Sequence, residues 1–245
     1  MNWIRVLGLH YETTRALYPE DKLMIVFDID GTIIDMRCMI LHALKTFDRK
    51  NKTKYFHNLK LNDINVDENT VGRLLADLKI PLPVRKSFLK WYAKYKTSPG
   101  SILESHKPFK GVMDIIQWFY RRSNVCIGLN TGRPAAIRET TLDLLNNIGQ
   151  EYNVHFDDEL LFMNPYDWNT DCVDIKADGI KMFRDKGFRV FAFIDNEPEN
   201  LRSVEKVNTN KEILLLHANT IYKSNKDMLP IKAISGSSYD VNDLI

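Results

Sequence analysis

Residues 24–35 read MIVFDIDGTIID, and the fold turns on how this stretch is understood. Four apolar residues run into Asp28, with Asp30 two positions later and Gly31-Thr32 behind it. An apolar run closed by an Asp-Gly turn pair predicts a buried strand that ends in a turn. Side chains alternate along an extended backbone, so Asp28 and Asp30 are expected on the same side. Neighbouring carboxylates repel unless a cation sits between them or one is protonated. The pair therefore calls for positive charge from elsewhere in the chain.

Four further apolar runs predict buried strands: VCIGLN (125–130), LLFMN (160–164), RVFAFID (189–195) and EILLLHA (212–218). Helical spacing lies between most of them. GVMDIIQWFYRR (111–122) repeats apolar residues at 112, 115, 116 and 119. PAAIRETTLDLLNNIG (134–149) opens on Pro and closes on Gly, and ADGIKMFRDKG (177–187) also closes on Gly. Strands alternating with helices predict an α/β fold, a Rossmann-like doubly wound parallel sheet with both faces covered.

Residues 36–108 break the alternation. They hold helical patterns and polar loops but no convincing buried strand, which predicts a mostly helical insertion between segments 1–35 and 109–245. Its most periodic piece puts Val84, Phe88, Trp91 and Tyr95 on one helical face, expected to pack inside the insertion. The whole chain of 245 residues carries a net charge of only +2. The first 110 residues, however, hold 19 Lys and Arg against 12 Asp and Glu. Much of that excess lies in 45–60 and 79–96, either a solvated face or a surface that gathers anions.

Cys38, Cys126 and Cys172 are odd in number and scattered, which argues for reduced thiols rather than a disulfide frame or a zinc site. The N-terminus is a poor signal peptide, and no apolar stretch approaches a membrane span. A cytoplasmic protein is expected.

In an open parallel sheet, ligands bind beyond the carboxyl ends of the strands. Those ends carry Asp28, Asp30, Gly31 and Thr32; then Asn130, Thr131, Gly132 and Arg133; then Asp195, Asn196, Glu197 and Glu199, with Lys176 just ahead of the last strand. Each has a bland explanation as a turn, a helix start, a cap or a surface charge. Carboxylates, a hydroxyl and an ammonium gathered at alternating strand ends are hard to obtain by accident.

This pattern resembles the haloacid dehalogenase-like superfamily. Its DxDGT motif is matched by Asp28-Ile29-Asp30-Gly31-Thr32, its strand-end Ser or Thr by Thr131, its Lys by Lys176 and its acidic motif by Asp195. The resemblance covers residues 23–35 and 109–218, and the insertion resembles the family's helical cap. LFMNPYDWNTDCVDIK and TGR also look like the phosphatase domain of polynucleotide kinase-phosphatases.

What the resemblance implies is a phosphatase, a metal-binding hydrolase. Asp28 would be the nucleophile that forms an aspartyl-phosphate, and Asp30 the general acid and base. Mg²⁺ would be held by Asp28, the Asp30 backbone carbonyl and Asp195, with Glu199 as a second acid because Asn196 stands where an acid often does. Thr131 and Lys176 would hold phosphoryl oxygens, and Gly132 would join them in binding substrate. Arg133 is left with two roles, contact with substrate or pairing with a carboxylate; Glu199 could equally serve the helix dipole. An acid at position 30 disfavours dehalogenation. The substrate would be a small phosphorylated metabolite, or a nucleotide or nucleic-acid end. Outside enzymology, the same fold could serve as a non-catalytic binding module.

Overall fold

A computed structural model describes residues 2–166, 174–220 and 226–244. The described residues fall into two compact units. Residues up to Ile33 and from Pro108 onward form one, and Ile34–Lys107 form the other. Residues 167–173, including Cys172 and the centre of the stretch likened to polynucleotide kinase-phosphatases, lie outside the described residues.

The larger unit is built on six parallel strands: β1 (Leu23–Phe27), β2 (Val125–Pro134), β3 (Leu161–Asn164), β4 (Arg189–Asp195), β5 (Leu214–Ala218) and β6 (Ile234–Gly236). Their order is β3-β2-β1-β4-β5-β6. The chain fills one half of the sheet outward from β1, then returns to lay β4 on its other side. The crevice between the ends of β1 and β4 is thus the switch point where doubly wound sheets bind ligands. All five residues of β1 are buried, as both covered faces of a central parallel strand require.

Alternation along β1 sends Met24 and Val26 into a core with Ile180, Phe183, Leu201 and Val204. The last four come from α8 (Ile175–Asp185) and α9 (Pro198–Val207). Tyr11, Phe119 and Phe191 form a separate aromatic contact, with Tyr11 set edge-on to Phe119 at 5.4 Å between centroids. Tyr11 belongs to α1 (Trp3–Leu17) and Phe119 to α6 (Val112–Tyr120).

One helix start needs correction, and two elements go beyond the sequence reading. The N-terminal segment, read only for a signal peptide, is the 15-residue helix α1, capped by the Asn2 side chain on the Ile4 N–H. The helix placed at 134–149 begins later: β2 runs through Pro134, a 3₁₀ turn covers Ala135–Ile137, and α7 is Arg138–Gln150. A sixth strand, β6, was not anticipated.

The smaller unit holds α2 (Met36–Asn51), α3 (Val71–Asp77), α4 (Leu82–Tyr95) and α5 (Pro99–Ser105), with no strand among its described residues. Its ends meet where the Asp35 N–H donates to the Lys107 carbonyl at 2.8 Å. The stripe on α4 packs as expected. Phe88 is fully buried against Phe47 and Phe56, and Trp91 stacks on Tyr95 at 4.4 Å.

Candidate active site

The stretch 24–35 sets its two aspartates against different partners. β1 ends at Phe27, the Asp28 N–H donates to the Ile194 carbonyl at 2.9 Å, and the chain then turns through Gly31 at φ +87°. Each carboxylate receives its own cation. Asp28 pairs with Lys176, and Asp30 with Arg133. The positive charge that the sequence called for comes from two directions.

Lys176 sits in the first turn of α8 and is buried. Its ammonium donates to Asp28 Oδ1 and to the Asn130 carbonyl, and lies 3.1 Å from Asp195 Oδ2. Asp28 directly follows β1 and Asp195 closes β4, so one cation bridges the two carboxylates that flank the switch point. Asp28 and Asp195 are only 5% and 0% exposed. Burial pushes the Asp28 carboxyl up to about 7, with Lys176 pulling against it and Asp195 adding repulsion. Burial acts to lower Lys176, but Asp195 and Asp28 hold it above its ordinary value.

Asp195 is oriented by its own helix start. Its Oδ1 accepts from the Glu197 N–H at 2.8 Å and from Asn200 Nδ2 at 3.0 Å. Two buried carboxylates against one ammonium leave an excess of negative charge, costly in a low-dielectric site. That donor set fits a hard dication: Mg²⁺ takes one or two carboxylates, keeps several waters and accepts substrate oxygens for the rest. Asp28, Asp195 and the Asp30 carbonyl are the groups that would hold it. Glu199 is exposed in the first turn of α9, while Asn200 reaches Asp195. No three acidic, His or Cys side chains among the described residues gather closely enough to hold a metal by themselves.

Arg133, 2% exposed, grips Asp30 through two hydrogen bonds of 2.6 Å, from Nε and Nη2. Its Nη1 donates to Thr141 Oγ1 at 3.3 Å. Of the two roles the sequence left open, the structure gives Arg133 the ion pair. Thr131 is buried in the second half of β2, where its Oγ1 accepts the Arg133 N–H at 3.1 Å. Gly132 between them is exposed, with open space where a Cβ would stand.

Gly31 is required twice over: by its positive φ, and because a Cβ there would lie 2.6 Å from the Asn196 amide nitrogen. Asn196 therefore fills the space against the turn, and it accepts from the Thr32 hydroxyl at 3.4 Å. Its carbonyl accepts from His217 Nε2 at 3.1 Å. Sequence reasoning missed the residues that brace this turn from afar. Thr220 Oγ1 donates to the Gly31 carbonyl at 3.1 Å, and Tyr239 Oη to the Thr32 carbonyl at 2.9 Å. Burial, with the nearby Asp28 and Asp195 charges, pushes the Tyr239 hydroxyl up and keeps it a donor. Asn200 carried a faint signal, lying within DNEPEN; Thr141, Thr220 and Tyr239 carried none.

Fold and site define a doubly wound α/β protein with buried acids at its switch point. More particularly, the chain has the haloacid dehalogenase-like fold. A protein assigned as a phosphatase from Clostridium difficile matches it with a TM-score of 0.55 at 16% identity, over 92% of this chain and 99% of its own. A haloacid dehalogenase-like hydrolase from Streptococcus pneumoniae matches at 0.52 and 13%, over 88% and 94%. Protein tyrosine kinase A from Mycobacterium tuberculosis matches at 0.55 and 13%, over 92% and 97%. At these identities the likeness establishes the fold alone. No family model matches the chain, and no curated protein matches it in sequence. Among the described residues, no helix is long and apolar enough to cross a membrane.

Proposed function

We propose that the chain is a Mg²⁺-dependent phosphomonoester hydrolase acting through a covalent phosphoryl group on Asp28. The observation that carries this reading is the pair of buried carboxylates at the ends of β1 and β4, bridged by one buried ammonium. Asp28 supplies the oxygen that bonds to phosphorus as the bond to the leaving oxygen breaks. Asp30 gives that leaving oxygen its proton, then takes one from the water whose oxygen displaces Asp28 and releases inorganic phosphate. Thr131 and Lys176 donate to the phosphoryl oxygens, where charge must be held as the group moves. Bound Mg²⁺ would neutralise the repulsion between carboxylate and phosphate.

Arg133 acts at one remove, fixing the Asp30 carboxylate. Glu199 serves the dipole at the start of α9. The helical unit is the cap that screens substrates, which are small phosphorylated metabolites, or else nucleotide or nucleic-acid ends. Asn196, which stands where an acid often does, has its side chain against Gly31. Hydrolysis of an aryl phosphate, with and without chelator, tests the chemistry. A panel of phosphorylated metabolites and of 3′- and 5′-phosphorylated oligonucleotides then tests the substrate class.

A further inference from the structure

The helical unit contains an open cavity of about 620 Å³, lined in part by Lys45, Arg49, Lys52 and Lys54. His42 and His57 complete the polar wall. His42, Lys45 and Arg49 follow one another at helical spacing along α2, while Lys52 and Lys54 come from the loop that folds back beside it. That loop is built rather than draped. The buried Asp48 carboxylate accepts from the Thr53 hydroxyl at 2.6 Å, the Tyr55 N–H at 3.1 Å and the Phe56 N–H at 2.6 Å.

Among the described residues, Asp48 is the only acid lining the cavity, and those three bonds occupy it. Among the described residues, no ion pair within 4.0 Å engages Lys45, Arg49, Lys52 or Lys54. Like charges one turn apart on one helix face destabilise it. The dipole at the end of α2 favours Arg49 and Lys50 in its last turn, but it gives no reason for Lys45 and Lys54 to converge on the same hollow. Lys52 is the C-cap of α2, in the left-handed conformation at φ 52° that ends many helices.

The geometry points to a polyphosphate-binding pocket in this unit, a site that takes two or more linked phosphates. The volume falls within the range of small-ligand sites. Four cations on two walls match several anionic groups better than a single one, and the lysine stems supply apolar surface for an attached nucleoside. The same chemistry could come from a free nucleoside polyphosphate or from the backbone of a single strand. The site stands independently of the hydrolase reading, since every residue in it lies in Ile34–Lys107.

Calorimetric titration of the full chain in EDTA, with tripolyphosphate, ADP and a fifteen-nucleotide single strand as separate ligands, tests it. Replacing Lys45, Lys52 and Lys54 by Gln together should weaken the binding ligand by about tenfold or more. For the strand it should also lower the salt slope by about 2. Replacing Lys86, Lys90 and Lys94 by Gln removes the same charge from exposed positions on α4 and should change affinity by less than about twofold. Thermal unfolding and aryl phosphate turnover should be the same in both variants. Binding by the small ligands identifies a free polyphosphate, and binding by the strand alone identifies a nucleic acid. Equal losses in the two triple variants, or no binding to any of the three ligands, would overturn the pocket.

Discussion

Arg133 holds Asp30 by two parallel hydrogen bonds, both 2.6 Å, from a guanidinium that is itself buried. The fork is planar and fixes the carboxylate in orientation as well as in place. Asp30 is one-fifth exposed on its side chain, so its other face is open to solvent. If Asp30 is the acid and base of the reaction, Arg133 is its positioning residue.

Arg133→Gln should therefore lose both stability and a specific part of the rate. Breaking a buried pair costs about 3–5 kcal/mol, and the partial exposure of Asp30 lowers that to about 2–3 kcal/mol. Urea unfolding measures it. The rate loss should be greatest for poor leaving groups, and Arg133→Lys, which keeps the charge but not the fork, should fall between. A stability loss with an unchanged leaving-group dependence would reduce Arg133 to a structural role.

The two aspartates should separate in the same series. Asp28→Asn abolishes turnover, because an amide cannot form the intermediate. Asp30→Asn slows poor leaving groups most, because these need the proton. A uniform loss across the series would remove Asp30 from proton transfer.

Gly31→Ala should destabilise the fold by about 1–3 kcal/mol, from the positive φ and from the clash with Asn196. The clash is with the Asn196 side chain, so Asn196→Ala should recover that share of the loss and leave the share owed to the positive φ. A double-mutant cycle checks this, with an expected coupling of at least about 0.5 kcal/mol. Simple additivity would mean that the turn, not the contact, demands glycine.

Cys38 offers a pH dependence with a fixed sign. Burial first, then the Asp35 charge, push its thiol up to about 11. The nucleophile is the thiolate, so alkylation should be slow at pH 8, where about one thiol in a thousand is ionised, and should rise about tenfold per pH unit toward 11. Peptide mapping after timed iodoacetamide labelling reads the rate. Labelling at pH 8 as fast as a free thiol would contradict it.

The central strands and the residues at their ends were legible because buried parallel strands read as continuous apolar runs that stop abruptly at polar residues. Asp28, Thr131 and Asp195 could be found that way, and Lys176 by its order among them. The braces could not. Tyr239 lies 207 residues from Thr32 and Thr220 lies 189 from Gly31, distances over which no local pattern exists. β6 escaped because three residues, Ile-Ser-Gly, show no period. The start of α7 was misplaced because Pro134 suits a strand end as well as a helix's first turn. Arg133 was named but not assigned, since spacing cannot say which carboxylate a guanidinium will meet.

Metal dependence should follow the donor set. Chelator should abolish aryl phosphate turnover and added Mg²⁺ restore it, while Ca²⁺ supports it poorly because its looser coordination misplaces the nucleophile. Full turnover in chelator would exclude the role given to Asp195.

The most direct test of the covalent route is to quench the protein in acid during turnover and map the peptide containing residues 24–35 by mass spectrometry. The proposed mechanism requires one added phosphoryl group on Asp28, absent from the Asp28→Asn protein and lost on treatment with hydroxylamine. Sustained turnover by Asp28→Asn, or a phosphoryl group found on Asp30 instead, would contradict it.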